Sequence, residues 1–181
     1  DLHRRRHSFP TRRSSDLVVL ALREIQKIIA TDLNDRALAC AQDNVNQLGL
    51  NTQIEIQKAN LFPEGRAALI VCNPPWLPAR PSSSLEHAVY DPESQMLKGF
   101  LEKLKDHLLP HGEGWLILSD LAEHLGLRTR EELLGWIDQA GLKLIARLDT
   151  KPTHQKAFDK TDALHAARSK EVTSLWRLAA K

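Results

Sequence analysis

Ala67-Ala68-Leu69-Ile70-Val71-Cys72-Asn73-Pro74-Pro75-Trp76 is the stretch on which the reading of this chain turns. A continuous small and apolar run after a loop is the pattern of a strand buried on both faces, as in a parallel sheet. It ends at Asn73, because each of the two prolines that follow fixes φ near about −65° and removes an N–H donor. Open α/β sheets bind ligands beyond the carboxyl ends of their strands, and Asn73 stands at such an end. The combination suits the holding of a planar amino group. The Asn73 side-chain oxygen and the Pro74 carbonyl can accept its two hydrogens, and Trp76 offers a flat apolar face beside them. Catalysis at such a site is positioning and charge stabilisation rather than strong general-base chemistry. The bland alternative is a simple turn.

Working outward, helix and strand signals alternate. Val18 to Gln26 reads as the end of an amphipathic helix, and Ile28-Ile29-Ala30 as a short strand ending in Asp32. Asn34 is an N-cap candidate for a helix with Leu38, Ala41, Val45 and Leu48 on its buried face, closed by Gly49. Gln53 to Gln57 alternates like a strand, and Phe62 to Gly65 is a loop. Pro74 to Ser84 is too rich in proline and serine for regular structure. Asp91-Pro92 opens the next helix, with Leu97, Phe100 or Leu101, Leu104 and Leu108 buried and Pro110-His111-Gly112 as its stop. Gly114 to Ser119 is a second buried strand. Thr129 and Glu132 form a capping-box pattern before a helix with Leu133, Leu134, Ile137 and Ala140 inside, closed by Gly141. Leu142 to Leu148 and Val172 to Leu178 follow as strands with a long polar segment between them. The pattern predicts an α/β sheet with a late antiparallel pair.

The 181 residues carry a formal charge of +2. Residues 1–17 hold Arg4, Arg5, Arg6, Arg12 and Arg13 against Asp1 and Asp16, so the remainder is close to neutral and gives no general case for tight nucleic-acid binding. These 17 residues lack any periodicity and resemble translated sequencing-adaptor DNA; a basic disordered tail is the alternative reading. Cys40 and Cys72 lack metal-ligand spacing and read as reduced core residues of a cytoplasmic protein. No apolar run approaches the ~20 residues of a membrane span. The histidines, His107 and His111 included, lack paired ligand spacing, so no metal is expected. Ser82-Ser83-Ser84 lacks a nucleophile elbow. Lys151 to Lys170 reads equally as a solvated loop or a substrate-facing one. Tyr90 and Asp91 are expected at the substrate mouth.

Asn-Pro-Pro-aromatic after a buried strand resembles the class I S-adenosylmethionine-dependent methyltransferases of the small-domain group, from about Val18 to Leu178. The resemblance implies a Rossmann-like, mostly parallel sheet with helices on both faces and a C-terminal antiparallel strand pair. It implies methyl transfer from S-adenosyl-L-methionine to an amino or amide nitrogen of RNA, DNA or protein glutamine, with RNA or protein favoured over DNA. Asn73, Pro74, Pro75 and Trp76 are then the catalytic set. Asp32 matches the acid that binds the donor's ribose hydroxyls, Leu33 lies against the adenine, and Asn60 with Leu61 falls where the adenine amino group is met; Asn73 also borders the donor. The family's first strand and Gly-rich loop belong before Val18, yet no glycine precedes Gly49. Residues 18–181 are therefore expected to be a methyltransferase domain incomplete at its N-terminus, with an inactive remnant as the alternative. An NAD-dependent oxidoreductase shares the α/β plan but leaves Asn73 to Trp76 unexplained.

Overall fold

A computed structural model describes residues 17, 20–23, 25–77, 91–151 and 165–181. The chain divides into two compact units, Asp1–Glu64 and Gly65–Lys181.

The first unit is built on strand β1 (Ile28–Asp32), helix α1 (Asp35–Gln47) and strand β2 (Ile54–Lys58). β1 and β2 pair in parallel from Ile28↔Ile54 to Asp32↔Lys58, so both strands end at the same edge. α1 starts where the sequence predicts. The Asn34 side chain accepts from the backbone N–H groups of Arg36 and Ala37, satisfying donors that a helix start leaves open. Its inner face is narrower than expected: Val45 is buried, whereas Leu48 is the C-cap and is exposed. Ile28, Val45, Ile54 and Ala21 form a small core, with Leu17, Leu20, Ile25, Leu50 and Ile56 around it.

The second unit holds strand β3 (Ala67–Cys72), helix α2 (Gln95–His107), strand β4 (Leu108–Ser119), helices α3 (Leu121–His124) and α4 (Arg130–Gln139), strand β5 (Leu142–Thr150), helix α5 (His165–Arg168) and strand β6 (Thr173–Ala180). The sheet order is β3-β4-β6-β5. β3 and β4 are parallel, and β6 lies antiparallel between β4 and β5. The α/β architecture and the late antiparallel pair thus stand as the sequence predicts; β6 simply carries two antiparallel ladders. Leu97, Leu104, Leu116, Leu133, Leu142 and Leu178 are almost wholly excluded from solvent and form its core.

Three local readings are corrected. First, Pro92 does not begin the α-helix. Residues Pro92–Ser94 form a 3-10 turn in which Glu93 and Ser94 both have φ of 56°, and α2 follows. Second, Pro110-His111-Gly112 ends no helix. The helix is already over at His107, and β4 begins at Leu108, so these residues bulge out between the pairings Ala67↔Leu108 and Leu69↔Glu113. Gly112 is required there, because a Cβ would lie 2.9 Å from the Leu109 carbonyl oxygen and 3.1 Å from those of Ala67 and Ala68. Third, Leu134 points outward. The capping box on α4 is present in both directions, Glu132 N–H to Thr129 and Thr129 N–H to Glu132. Among the described residues no helix is long and apolar enough to cross a membrane.

Candidate active site

In the second unit β3 delivers Asn73 to the carboxyl edge of the sheet, but the expected burial on both faces is not met: β3 is the outermost strand of its sheet, Ala67 and Ala68 are exposed, and only Cys72 is buried. Cys72 and Pro74 are buried and Asn73 between them is exposed. The polar side chain therefore faces outward from a fixed backbone. The Trp76 indole N–H donates to Asn73 Oδ1 at 3.0 Å. That bond anchors the amide oxygen and leaves its second lone pair available. The four expected catalytic residues thus form one short segment, bent at Trp76 and closed by the indole-to-amide hydrogen bond.

This segment is held from behind by Asp91. Its backbone N–H donates to the Leu77 carbonyl at 2.7 Å. Its carboxylate accepts from the N–H groups of Met96 at 2.9 Å and Leu97 at 3.1 Å. Asp91 is thus the effective cap of α2 although three residues separate it from the helix, and it is 5% exposed. It does not line a substrate mouth: both carboxylate oxygens are turned inward onto the helix. Burial, with the Asp91 charge nearby, pushes the Cys72 thiol up to about 12, so Cys72 is an inert core thiol. Leu77 packs on Leu121 and Ala122 of α3, with Leu125 and Ala167 around them.

Sequence reasoning missed a second polar group at the same sheet edge. Ser119, which ends β4, donates its hydroxyl to Glu171 at 2.6 Å and accepts from the Leu121 N–H at 3.0 Å. The Val172 N–H donates to Asp120 Oδ1 at 2.7 Å, fixing the start of β6. Ser119, Arg128 and Glu171 are all buried. Nothing in the spacing of these residues announces the cluster, since 52 positions separate Ser119 from Glu171.

In the first unit four of the five residues expected at the methyl donor, all but Asn73, come together at the carboxyl end of β1 and β2. Asp32 Oδ1 accepts from the Asn34 N–H at 2.9 Å. The Thr31 hydroxyl donates to the Leu61 carbonyl at 2.8 Å, and the Ala59 N–H to the Asp32 carbonyl at 3.3 Å. These bonds bring Asp32-Leu33 beside Asn60-Leu61. Leu33 is 58% exposed, and Leu61 has φ of 70°. An acceptor carboxylate next to an uncovered apolar side chain fits a ribose joined to a flat base.

Tyr90, Ser82 to Ser84 and residues 152–164 lie outside the described residues. Among the described residues no cluster of His, Cys, Asp and Glu could hold a metal ion.

An α/β sheet with an Asn-Pro-Pro-aromatic segment at a strand's carboxyl end defines a class I methyltransferase, and comparison with known proteins agrees. The chain matches the family described as RMKL-like, methyltransferase domain, over residues 2–124, and it belongs to that family. It is 30% identical over 166 residues to a release factor glutamine methyltransferase of Cereibacter sphaeroides, covering 84% of this chain and 54% of that protein. The chain thus spans about half the length of this curated relative. Among solved structures it resembles a ribosomal protein L11 methylase of Lactobacillus delbrueckii subsp. bulgaricus, with TM-score 0.59, 16% identity and coverage of 93% of this chain and 65% of that one. It also resembles a geranyl diphosphate C-methyltransferase of Streptomyces coelicolor A3(2), determined with S-adenosyl-L-homocysteine, with TM-score 0.65, 11% identity and coverage of 93% and 69%. Identities this low speak for the fold alone.

Proposed function

We propose that this chain takes part in methyl transfer from S-adenosyl-L-methionine to an amide or amino nitrogen of a macromolecule, a protein glutamine before an RNA base. The observation that carries the reading is the segment Asn73-Pro74-Pro75-Trp76 at the end of β3, with the Asn73 oxygen anchored and outward. The glutamine preference follows from the relative of Cereibacter sphaeroides, whose name specifies that acceptor.

Asp32 would hold the donor's ribose hydroxyls, Leu33 and Leu61 would lie against its adenine, and Asn60 would accept from the adenine amino group. The donor supplies an electrophilic methyl group. Asn73 Oδ1 and the Pro74 carbonyl would accept the two N–H bonds of the acceptor nitrogen and leave its lone pair free to attack. When bound, the donor would give up its methyl with cleavage of the C–S bond, and the acceptor nitrogen would lose its proton to solvent. Trp76 stacks on the plane to which the nitrogen is attached and fixes the Asn73 amide through its indole N–H. Pre-set acceptors of this kind lower the barrier because they need no reorganisation during reaction.

Calorimetric titration of the chain with S-adenosylhomocysteine tests the donor half. Binding that is abolished or weakened at least tenfold by Asp32→Ala supports it, while absence of binding by the unmodified chain would leave the inactive-remnant reading standing. Labelled methyl incorporation into fractionated protein and RNA identifies the acceptor.

A further inference from the structure

We propose that the cleft at the opposite edge of the second unit's sheet, around the β4 bulge, is a binding site for a nucleotide phosphate. The cleft has a volume of about 560 Å³ and is lined by Arg66, Lys105, Lys143 and His111 together with Leu109 and Ile145. A volume of this order is that of small-molecule sites, about 300–1,000 Å³. It lies where β3 and β5 begin and β6 ends, remote along the strands from Asn73.

Three features point to an anion with an apolar body. The cations come from three separate elements, the approach to β3, α2 and β5, and converge on one concavity. The carboxylate beside them, Glu113, is already consumed. It accepts from Arg177 at 2.8 and 2.6 Å and from the Trp115 indole at 2.8 Å. Arg177 holds it ionised down to about 2, so it is committed to that pair. Among the described residues Arg66, Lys105 and Lys143 form no ion pair with a carboxylate side chain, and clustered like charges attract an anion. Next to the charges, Leu109 and Ile145 are each 44% exposed, which gives a flat base or similar body an apolar surface.

The backbone at the cleft is strained as well. His111 has φ of 65°, in the left-handed region that a non-glycine residue rarely adopts. Beside it, a Cβ at Gly112 would crowd three carbonyl oxygens, so this position takes only glycine. Strain held by its surroundings is common at ligand sites. The phosphate could belong to a free nucleotide or to a unit of single-stranded RNA; the chemistry of recognition is shared. This site stands independently of the methyl-transfer reading.

The test is titration of the full chain with adenosine monophosphate, inorganic pyrophosphate and a single-stranded oligonucleotide. The Lys105→Gln/Lys143→Gln double variant changes exposed positions only, and an unchanged melting temperature confirms its fold. Lys103→Gln, on the same helix but outside the cleft, is the control. Binding that falls at least tenfold in the double variant and is retained in the control is the expected result. Ile145→Ser should weaken adenosine monophosphate several-fold and leave pyrophosphate unchanged. Tighter binding of the mononucleotide identifies a free ligand. Tighter binding of the oligonucleotide, with a salt slope reduced by about 0.7 for each lost contact, identifies RNA. No binding of any probe to the unmodified chain, or undiminished binding to the double variant, overturns the proposal.

Discussion

The two polar strand ends, Asp32 after β1 and Asn73 after β3, are held by different means. Asp32 and its neighbours are arranged by short-range bonds at the surface, Asn34 N–H to Asp32 and the Thr31 hydroxyl to Leu61, above a core of four buried apolar residues. Asn73 rests on two prolines, the Trp76 indole and the Asp91 clamp, beside a core that includes Leu97, Leu104, Leu116 and Leu178. A region with few buried contacts opens locally at low free energy, whereas one tied into a large core opens only with it. The region around Asp32, proposed to hold the donor, is accordingly the adaptable one, and the segment around Asn73, proposed to hold the acceptor, the rigid one.

The largest effect that could break this contrast is on stability. Leu104 is fully buried and occupies the space that a Cβ on Gly114 would need. Leu104→Ala should cost about 2–5 kcal/mol in chemical denaturation. Val45→Ala should cost less and should speed hydrogen exchange mainly within residues 28–58. Equal costs, or global acceleration of exchange by Val45→Ala, would erase the distinction. Next comes Asp91→Ala, which removes the acceptors of the Met96 and Leu97 N–H groups. Loss of such a cap costs about 1 kcal/mol and should raise exchange at the start of α2. An unchanged melting curve would show that the cap contributes nothing.

Trp76→Phe sharpens the comparison from the other side, since it keeps an aromatic face and deletes the indole N–H. One lost hydrogen bond of about 0.5–1.5 kcal/mol should lower turnover roughly two- to tenfold with acceptor affinity preserved. A fall in acceptor affinity alone would mean that the bond to Asn73 is incidental. The smallest effect is on acid stability. Glu113 is held at about 2, below its ordinary 4.5, chiefly by Arg177. Its contribution is therefore complete above pH 4.5 and is lost as pH falls through about 2. Glu113→Gln should flatten the stability profile between those values, and a profile identical to the parent's would contradict the assignment.

Much of this was legible in the sequence because the signals are local. The apolar run of β3, the Asn34 cap and the Thr129–Glu132 box each need only a few neighbouring residues. What escaped depends on distant partners. The bulge at Pro110 to Gly112 exists because β3 sets a register that the turn residues cannot reveal. Asp91 was legible as a cap and misplaced as a mouth residue, because two left-handed residues, Glu93 and Ser94, fold its carboxylate back under the helix. Ser119 and Glu171 meet only once β4 and β6 pair.

The central claim is that Asn73 acts on the reacting nitrogen. It is tested most directly by measuring donor affinity and methyl-transfer turnover side by side in Asn73→Ala. Loss of one transition-state hydrogen bond should lower turnover about a hundredfold while the affinity for S-adenosylhomocysteine stays within twofold. Parallel loss of donor affinity and rate, or turnover that survives the substitution, would contradict the account.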